Sequence, residues 1–146
     1  MSQNQEDRRM LGAMLRVPFQ ATVARIYQGL LASGFTDLRP AHFAVFQHIQ
    51  AEGSRITELA EQAQITKQSM GALVNYLEAC GYVECIPDSR DGRAKIVRLT
   101  ERGWALDTAA REIMGQTEAE WAKKLGEARF AELKRTLKEL NALIEA

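Results

Sequence analysis

Residues that carry chemistry are scarce in this 146-residue chain. Its only histidines, His42 and His48, stand six positions apart, which puts them on different sides of a helix. Its two cysteines, Cys80 and Cys85, lack the paired spacing of a metal site. With no Cys/His cluster, no glycine-rich phosphate cradle and no nucleophile elbow, the sequence offers no metal site, no cofactor site and no catalytic constellation. Two cysteines make no disulfide framework either, which fits a reducing compartment. No apolar run approaches the roughly 20 residues of a membrane span. The opening stretch Met1–Arg9 is polar and lacks the basic-then-apolar order of a secretion signal. A cytoplasmic location without membrane contact is the expectation. Net charge is missing too, with 19 basic against 19 acidic side chains. That excludes a strongly basic, sequence-blind coater of nucleic acid, so the placement of charge has to decide the matter.

What is present is helical periodicity. From about Met10 to Leu31 apolar residues recur at Met10, Leu11, Met14, Leu15, Val23, Ile26, Tyr27 and Leu30. Pro18 is expected to kink that helix or begin a new one, and Ser33-Gly34 to end it. A second helix opens at Leu38-Arg39-Pro40, buries Phe43, Phe46 and Ile49, and closes at Glu52-Gly53. A short helix over Ile56–Ala63 follows, and Thr66 is placed as the N-cap of another that runs to about Cys80. Gly81 sits where a C-terminal glycine belongs. Tyr82–Ile86 and Lys95–Leu99 alternate as strands around a Pro87–Gly92 turn. Thr100 then caps a helix carrying Trp104, Ala110, Ile113, Met114 and Trp121, and a last helix shows Phe130, Leu133, Leu137, Leu140 and Ile144. Six helices and a hairpin make a mostly α, α+β chain: a helix-turn-helix followed at once by a β-hairpin wing. Met10, Met14, Met70 and Met114 read as core filler.

The second helix of a helix-turn-helix can enter the major groove while its apolar side stays in the core. Met70, Leu73, Val74 and Leu77 share one side; Gln68, Gly71, Ala72 and Asn75 share the other, flanked by Lys67 and Tyr76. A polar face with small residues in its middle can approach base edges, and Gln or Asn can pair bidentately with adenine. The same face also suits a merely solvated helix, and the hairpin decides between the two. Asp88 to Arg102 holds five basic and three acidic residues, and an arginine at a hairpin tip can enter a narrow minor groove. The aspartates beside them are expected to fix the guanidinium directions of Arg90 or Arg93.

The segments Leu38–Phe43, Ile56–Ala60, Leu77–Val83, Asp88–Arg93 and Val97–Gly103 together resemble, in order and spacing, the MarR family, the multiple antibiotic resistance regulators. The resemblance covers about Leu38 to Gly103. It implies a homodimer with interlocking first and last helices that binds a pseudo-palindromic duplex, usually as a repressor released by a small molecule. Gly71 and Ala72 depart from the hydroxyl residue and arginine common in relatives, and Gly92 stands where a second wing arginine is frequent.

On this reading residues 1–37 form an N-terminal dimerisation helix, 38–103 the winged helix-turn-helix lobe, and 104–146 the C-terminal dimerisation helices. Dimerisation also follows from burial. A central lobe of about 65 residues is too small to cover the apolar stripes of both terminal segments, unless those pack on each other within one chain. Thr66, Lys67, Gln68, Ser69, Asn75, Arg90, Arg93 and Lys95 are the expected DNA contacts. Arg16, Tyr27, His42, Phe46 and Trp104 are candidates to line the effector cavity that the resemblance implies. Alternatives are a winged helix used as a protein-interaction module, or a thiol-based redox sensor using Cys80 or Cys85. Some members of the family that the chain resembles sense oxidants through a cysteine in the first helix, and here there is none.

Overall fold

A computed structural model describes residues 10–146, so the polar Met1–Arg9 opening lies outside the described residues. The elements run α1 (Leu11–Ala32), a 3-10 turn (Pro40–His42), α2 (Phe43–His48), β1 (Ser54–Arg55), α3 (Ile56–Ala63), α4 (Lys67–Ala79), β2 (Val83–Pro87), β3 (Lys95–Leu99), α5 (Glu101–Leu125) and α6 (Glu127–Glu145). The three strands pair antiparallel in the order β1-β3-β2, with Val83 opposite Leu99 and Pro87 opposite Lys95 at the two ends of the hairpin.

Local chemistry places the boundaries. The Thr66 hydroxyl accepts the Ser69 N–H at 3.0 Å, and the Thr100 hydroxyl accepts the Gly103 N–H at 3.2 Å, so each satisfies an orphan donor of a first helical turn. At the far end of α4 the Gly81 N–H bonds the Glu78 carbonyl and the Tyr82 N–H bonds the Leu77 carbonyl. That paired closure needs a left-handed residue, and Gly81 supplies it at φ +84°.

Sequence and structure differ at four places. Helix α1 runs through Pro18 instead of starting afresh. The bond that proline cannot make would have gone to the carbonyl of Met14, and both residues are exposed, so water can satisfy it. Helix α2 stops at His48, since Ile49 is extended, and Glu52-Gly53 lies in the turn before β1. Strand β2 begins at Val83 instead of Tyr82. Met10 and Met14, read as core filler, are exposed, because nothing among the described residues covers the first half of α1.

One core joins the central lobe to the second half of α1 and the start of α5. Leu30, Val45, Leu59, Met70, Val74, Leu77, Tyr82, Val83, Val97 and Leu106 are essentially inaccessible, each such aliphatic side chain contributing about 1.5–3 kcal/mol. Helix α5 packs along α1, where Arg25 pairs with Glu120 at 3.0 Å, and α6 folds back on α5. Helix α6 buries no residue fully, and Leu133, Leu143 and Ile144 stand exposed with Leu11, Met14 and Phe19 of α1. Among the described residues no helix is long and apolar enough to cross a membrane.

Candidate nucleic-acid interface

The anchor of α4 is its apolar side. Met70, Val74 and Leu77 have no exposed surface, and Leu73 packs beside them. Their spacing turns Lys67, Gln68, Ser69, Ala72 and Asn75 outward, all exposed. Thr66 does more than cap: its hydroxyl also donates to the Ser69 hydroxyl oxygen at 2.9 Å, which leaves the Ser69 proton free for an outside acceptor. The turn before α4 is set by Gln64, held left-handed at φ +56°. Gly71 has open space where a side chain would stand. The face is therefore flat in its middle, with amide and hydroxyl groups around it.

The wing is built from its aspartates. Asp88 is 8% exposed and accepts the Arg90 backbone N–H at 3.0 Å, while its second oxygen takes the Arg55 guanidinium, Nε at 2.9 Å. Asp91 accepts the Arg93 backbone N–H at 3.1 Å, and the Asp88 N–H and Ala94 carbonyl close the loop at 2.9 Å. The Arg90 N–H above all, and then Arg55, hold the Asp88 carboxyl below the ordinary carboxylate range. The expectation that these aspartates grip the guanidinium groups of Arg90 or Arg93 is not met. They fasten the wing backbone, because an Asp side chain reaches the N–H two residues on more easily than a flexible arginine head.

That arrangement decides which cations are available. Of the five basic residues between Asp88 and Arg102, Arg98 pairs with Glu84 across the hairpin at 2.5 Å and Arg102 pairs with Asp37 at 3.0 Å. Arg90, Arg93 and Lys95 are exposed and have no ion pair among the described residues. The turn and the first residue of β3 thus present three cations without an ion pair among the described residues, with the exposed Asp91 carboxylate between Arg90 and Arg93. Asp88, the acid at its base, is neutralised by Arg55 from β1.

The five candidate cavity residues do not converge. Phe46 lines a space of about 230 Å³ between α1, α2 and α5 that also touches Gln47, Asp107, Arg111 and Met114 and none of the other four. His42 is buried but belongs elsewhere: its ring stacks on Tyr76 with centroids 4.5 Å apart, and its Nδ1 accepts the Arg39 N–H at 2.9 Å. Burial first, and the Arg39 charge second, lower the His42 pKa. Arg16 and Trp104 are exposed, and Tyr27 is half-buried against the core. A wider groove of about 650 Å³ runs between Phe19 and Val23 of α1, the 40–47 segment, and Ser69, Ala72 and Leu73 of α4. Sequence reasoning missed it, since its walls come from three separate elements.

Neither cysteine is disulfide-bonded, and both are half-buried against the core. Burial and the Glu78 carboxylate push the Cys85 thiol up to about 11. No cluster of His, Cys, Asp and Glu among the described residues could hold a metal ion.

Known proteins share this geometry. The MarR family model matches residues 36–94, the segment from the approach to α2 through the wing turn. The chain is 30% identical over 132 residues to the HTH-type transcriptional repressor Rv2887 of Mycobacterium tuberculosis, covering 90% of this chain and 88% of that one. Among solved structures, transcriptional regulator PA4135 superimposes with a TM-score of 0.74 at 26% identity, covering 92% of this chain and 98% of that one. CouR from Rhodococcus jostii RHA1, solved bound to p-coumaroyl-CoA, gives 0.72 at 23% identity with 95% of each chain covered, a likeness of fold. The helix-turn-helix, the wing and the flanking helices agree with these comparisons, and the chain belongs to the MarR family of transcription regulators.

Proposed function

We propose that the protein is a dimeric, sequence-specific DNA-binding regulator, acting as a repressor. The observation that carries the reading is the pairing of an exposed polar α4 face with a wing whose Arg90, Arg93 and Lys95 side chains have no ion pair among the described residues. Gln68 and Asn75 suit adenine edges, Lys67 and Ser69 nearby phosphates, and Thr66 sets the helix end. Arg90 and Arg93 suit the negative potential of an adjacent narrow minor groove. CouR, a repressor of like fold, is known bound to a 23-mer DNA duplex, and the relative Rv2887 is a repressor. Both support the assignment.

Two copies would bury the exposed apolar stripes of α1 and α6, with residues 1–37 and 104–146 as the dimerisation parts. A two-fold pair would set the α4 helices about one DNA turn apart on a pseudo-palindrome. The two cavities flank α1, so a small effector seated there would bias the α4 spacing by its differential affinity for two states. A protein working on the genome in this way belongs in the cytoplasm. A redox role for Cys85 is less well supported, because a thiol with its pKa near 11 carries almost no thiolate at neutral pH.

A gel shift on the DNA flanking the protein's own gene, repeated over a salt series, tests the reading. Retardation that weakens steeply with salt is expected. No retardation at low salt would favour a protein-interaction module.

A further inference from the structure

Away from the wing, a polar cluster that reaches Tyr76 at the flank of the outward face of α4 ties the end of α4 to the start of α5. Arg102 stands in the first turn of α5. One arm of its guanidinium donates to the carbonyl of Cys80, the C-cap of α4, and the other donates at 3.0 Å to both Asp37 Oδ2 and the Tyr82 hydroxyl. The same group lies 4.3 Å over the Tyr82 ring. Tyr82 is fully buried and donates its hydroxyl to Asp37 Oδ1 at 2.5 Å. Tyr76, on α4 itself, donates to the main-chain carbonyl of Asp37, also at 2.5 Å. One loop residue therefore holds α4, the approach to β2 and α5 together.

The chemistry suits a clamp. The Cys80 carbonyl is one of the orphan acceptors at the negative end of α4, where a guanidinium is favoured. The Arg102 and Asp37 side chains are 47% and 31% exposed, so their ion pair contributes little to folding. What it does supply is direction, through a planar fork engaging three acceptors at once. At 25 residues α5 is about 37 Å long, and it packs along α1. A rigid joint at its first turn would carry any tilt of α5 directly into α4.

We propose that Arg102 is a positioning residue for DNA reading, clamping the C-terminal end of α4 to α5 through Asp37 so that the two helices move as one body. The proposal rests on the DNA-binding reading above and places Arg102 outside the DNA contact itself.

The test begins with duplexes selected from a random pool by the wild-type protein. Affinities for the strongest selected duplex and for an unrelated duplex of equal length are then measured over a salt series. Arg102→Ala is expected to weaken the selected duplex about tenfold, the scale of one charge-assisted bond. The unrelated duplex and the salt slope should stay unchanged, because no phosphate contact is lost. Arg102→Lys should recover part of the loss, and Tyr76→Phe should weaken binding in the same direction. If Arg102→Ala does not fold, these two variants carry the test, and unchanged affinity in Tyr76→Phe overturns the proposal. Loss on both duplexes with a slope shallower by about one would make Arg102 a phosphate contact and also overturn it. A lowered melting temperature with unchanged affinity would reduce the cluster to a structural tie and would overturn it equally. A wild type that selects no duplex sinks the DNA-binding reading and this proposal together; selection followed by unaffected variants sinks this proposal alone.

Discussion

Replacing Gly103 by alanine should destabilise the protein, although alanine is the better helix former. Gly103 lies in the first turn of α5, where a Cβ would fall 2.1 Å from the Tyr82 carbonyl oxygen, with Leu99 atoms at 3.1 and 3.2 Å. Carbon meets a carbonyl oxygen at roughly 3.3–3.6 Å, so more than an ångström of movement is required. The obstacle is main chain, and the same carbonyl already accepts the Thr100 N–H at 3.1 Å. Overpacking of this kind costs about 3 kcal/mol, and helix propensity returns about 1 kcal/mol. A net loss of about 2 kcal/mol lowers the melting temperature by roughly 4–8 °C for a chain of this length. Gly71 in α4 is the internal control, since a Cβ there meets nothing within 4 Å. Gly71→Ala should raise stability by about 0.5–1 kcal/mol. Both are read by thermal unfolding at one fixed protein concentration. A Gly103→Ala protein melting at or above the wild type would refute this picture of how α5 meets the end of α4.

Three further outcomes follow from the site. Arg93→Ala should weaken DNA binding and make its salt dependence shallower by about one counterion; unchanged affinity and slope in a gel-shift series would remove the wing from the interface. His42 is buried with Nδ1 accepting a backbone N–H, and its pKa lies below the ordinary 6.5. The neutral form is therefore the one the fold favours: its contribution is complete above about pH 6.5 and is lost as pH falls from there through the lowered value. Denaturant titrations between pH 5 and 8 should show that acid-side loss in the wild type and a smaller one in His42→Gln, and identical profiles would contradict it. Cys85, with its thiol pushed up to about 11 by burial and by Glu78, should resist iodoacetamide at neutral pH in the folded protein and react once the protein is unfolded. Alkylation at the rate of a free thiol would count against the packing described here.

Much of the fold was readable because its signals are local. Thr66, Gly81 and Thr100 mark helix ends through bonds to residues three or four positions away, and β3 alternates over the very span Lys95–Leu99 that the structure gives. Features resting on distant partners were not readable. Strand β1 is two residues long and exists only by pairing with Val97 and Ile96, some forty positions on. Arg55 and Asp37 gave no motif, yet one anchors the wing through Asp88 and the other the α4–α5 junction through Arg102. A simple charge count of the wing included Arg98 and Arg102, which the fold holds in ion pairs with Glu84 and Asp37. Val45, fully buried in α2, escaped the stripe drawn through Phe43, Phe46 and Ile49. The short α2 and its 3-10 entry shift which face is covered.

A hydroxyl-radical footprint of a selected duplex would show at once whether two copies read DNA in the manner proposed. Two copies reading successive major grooves should protect two blocks centred about 10 base pairs apart, with cleavage also suppressed in the flanking minor grooves where the wings lie. Those flanking signals should vanish in the Arg90→Ala/Arg93→Ala double variant. A single protected block, or flanks unaltered by removing both arginines, would contradict it.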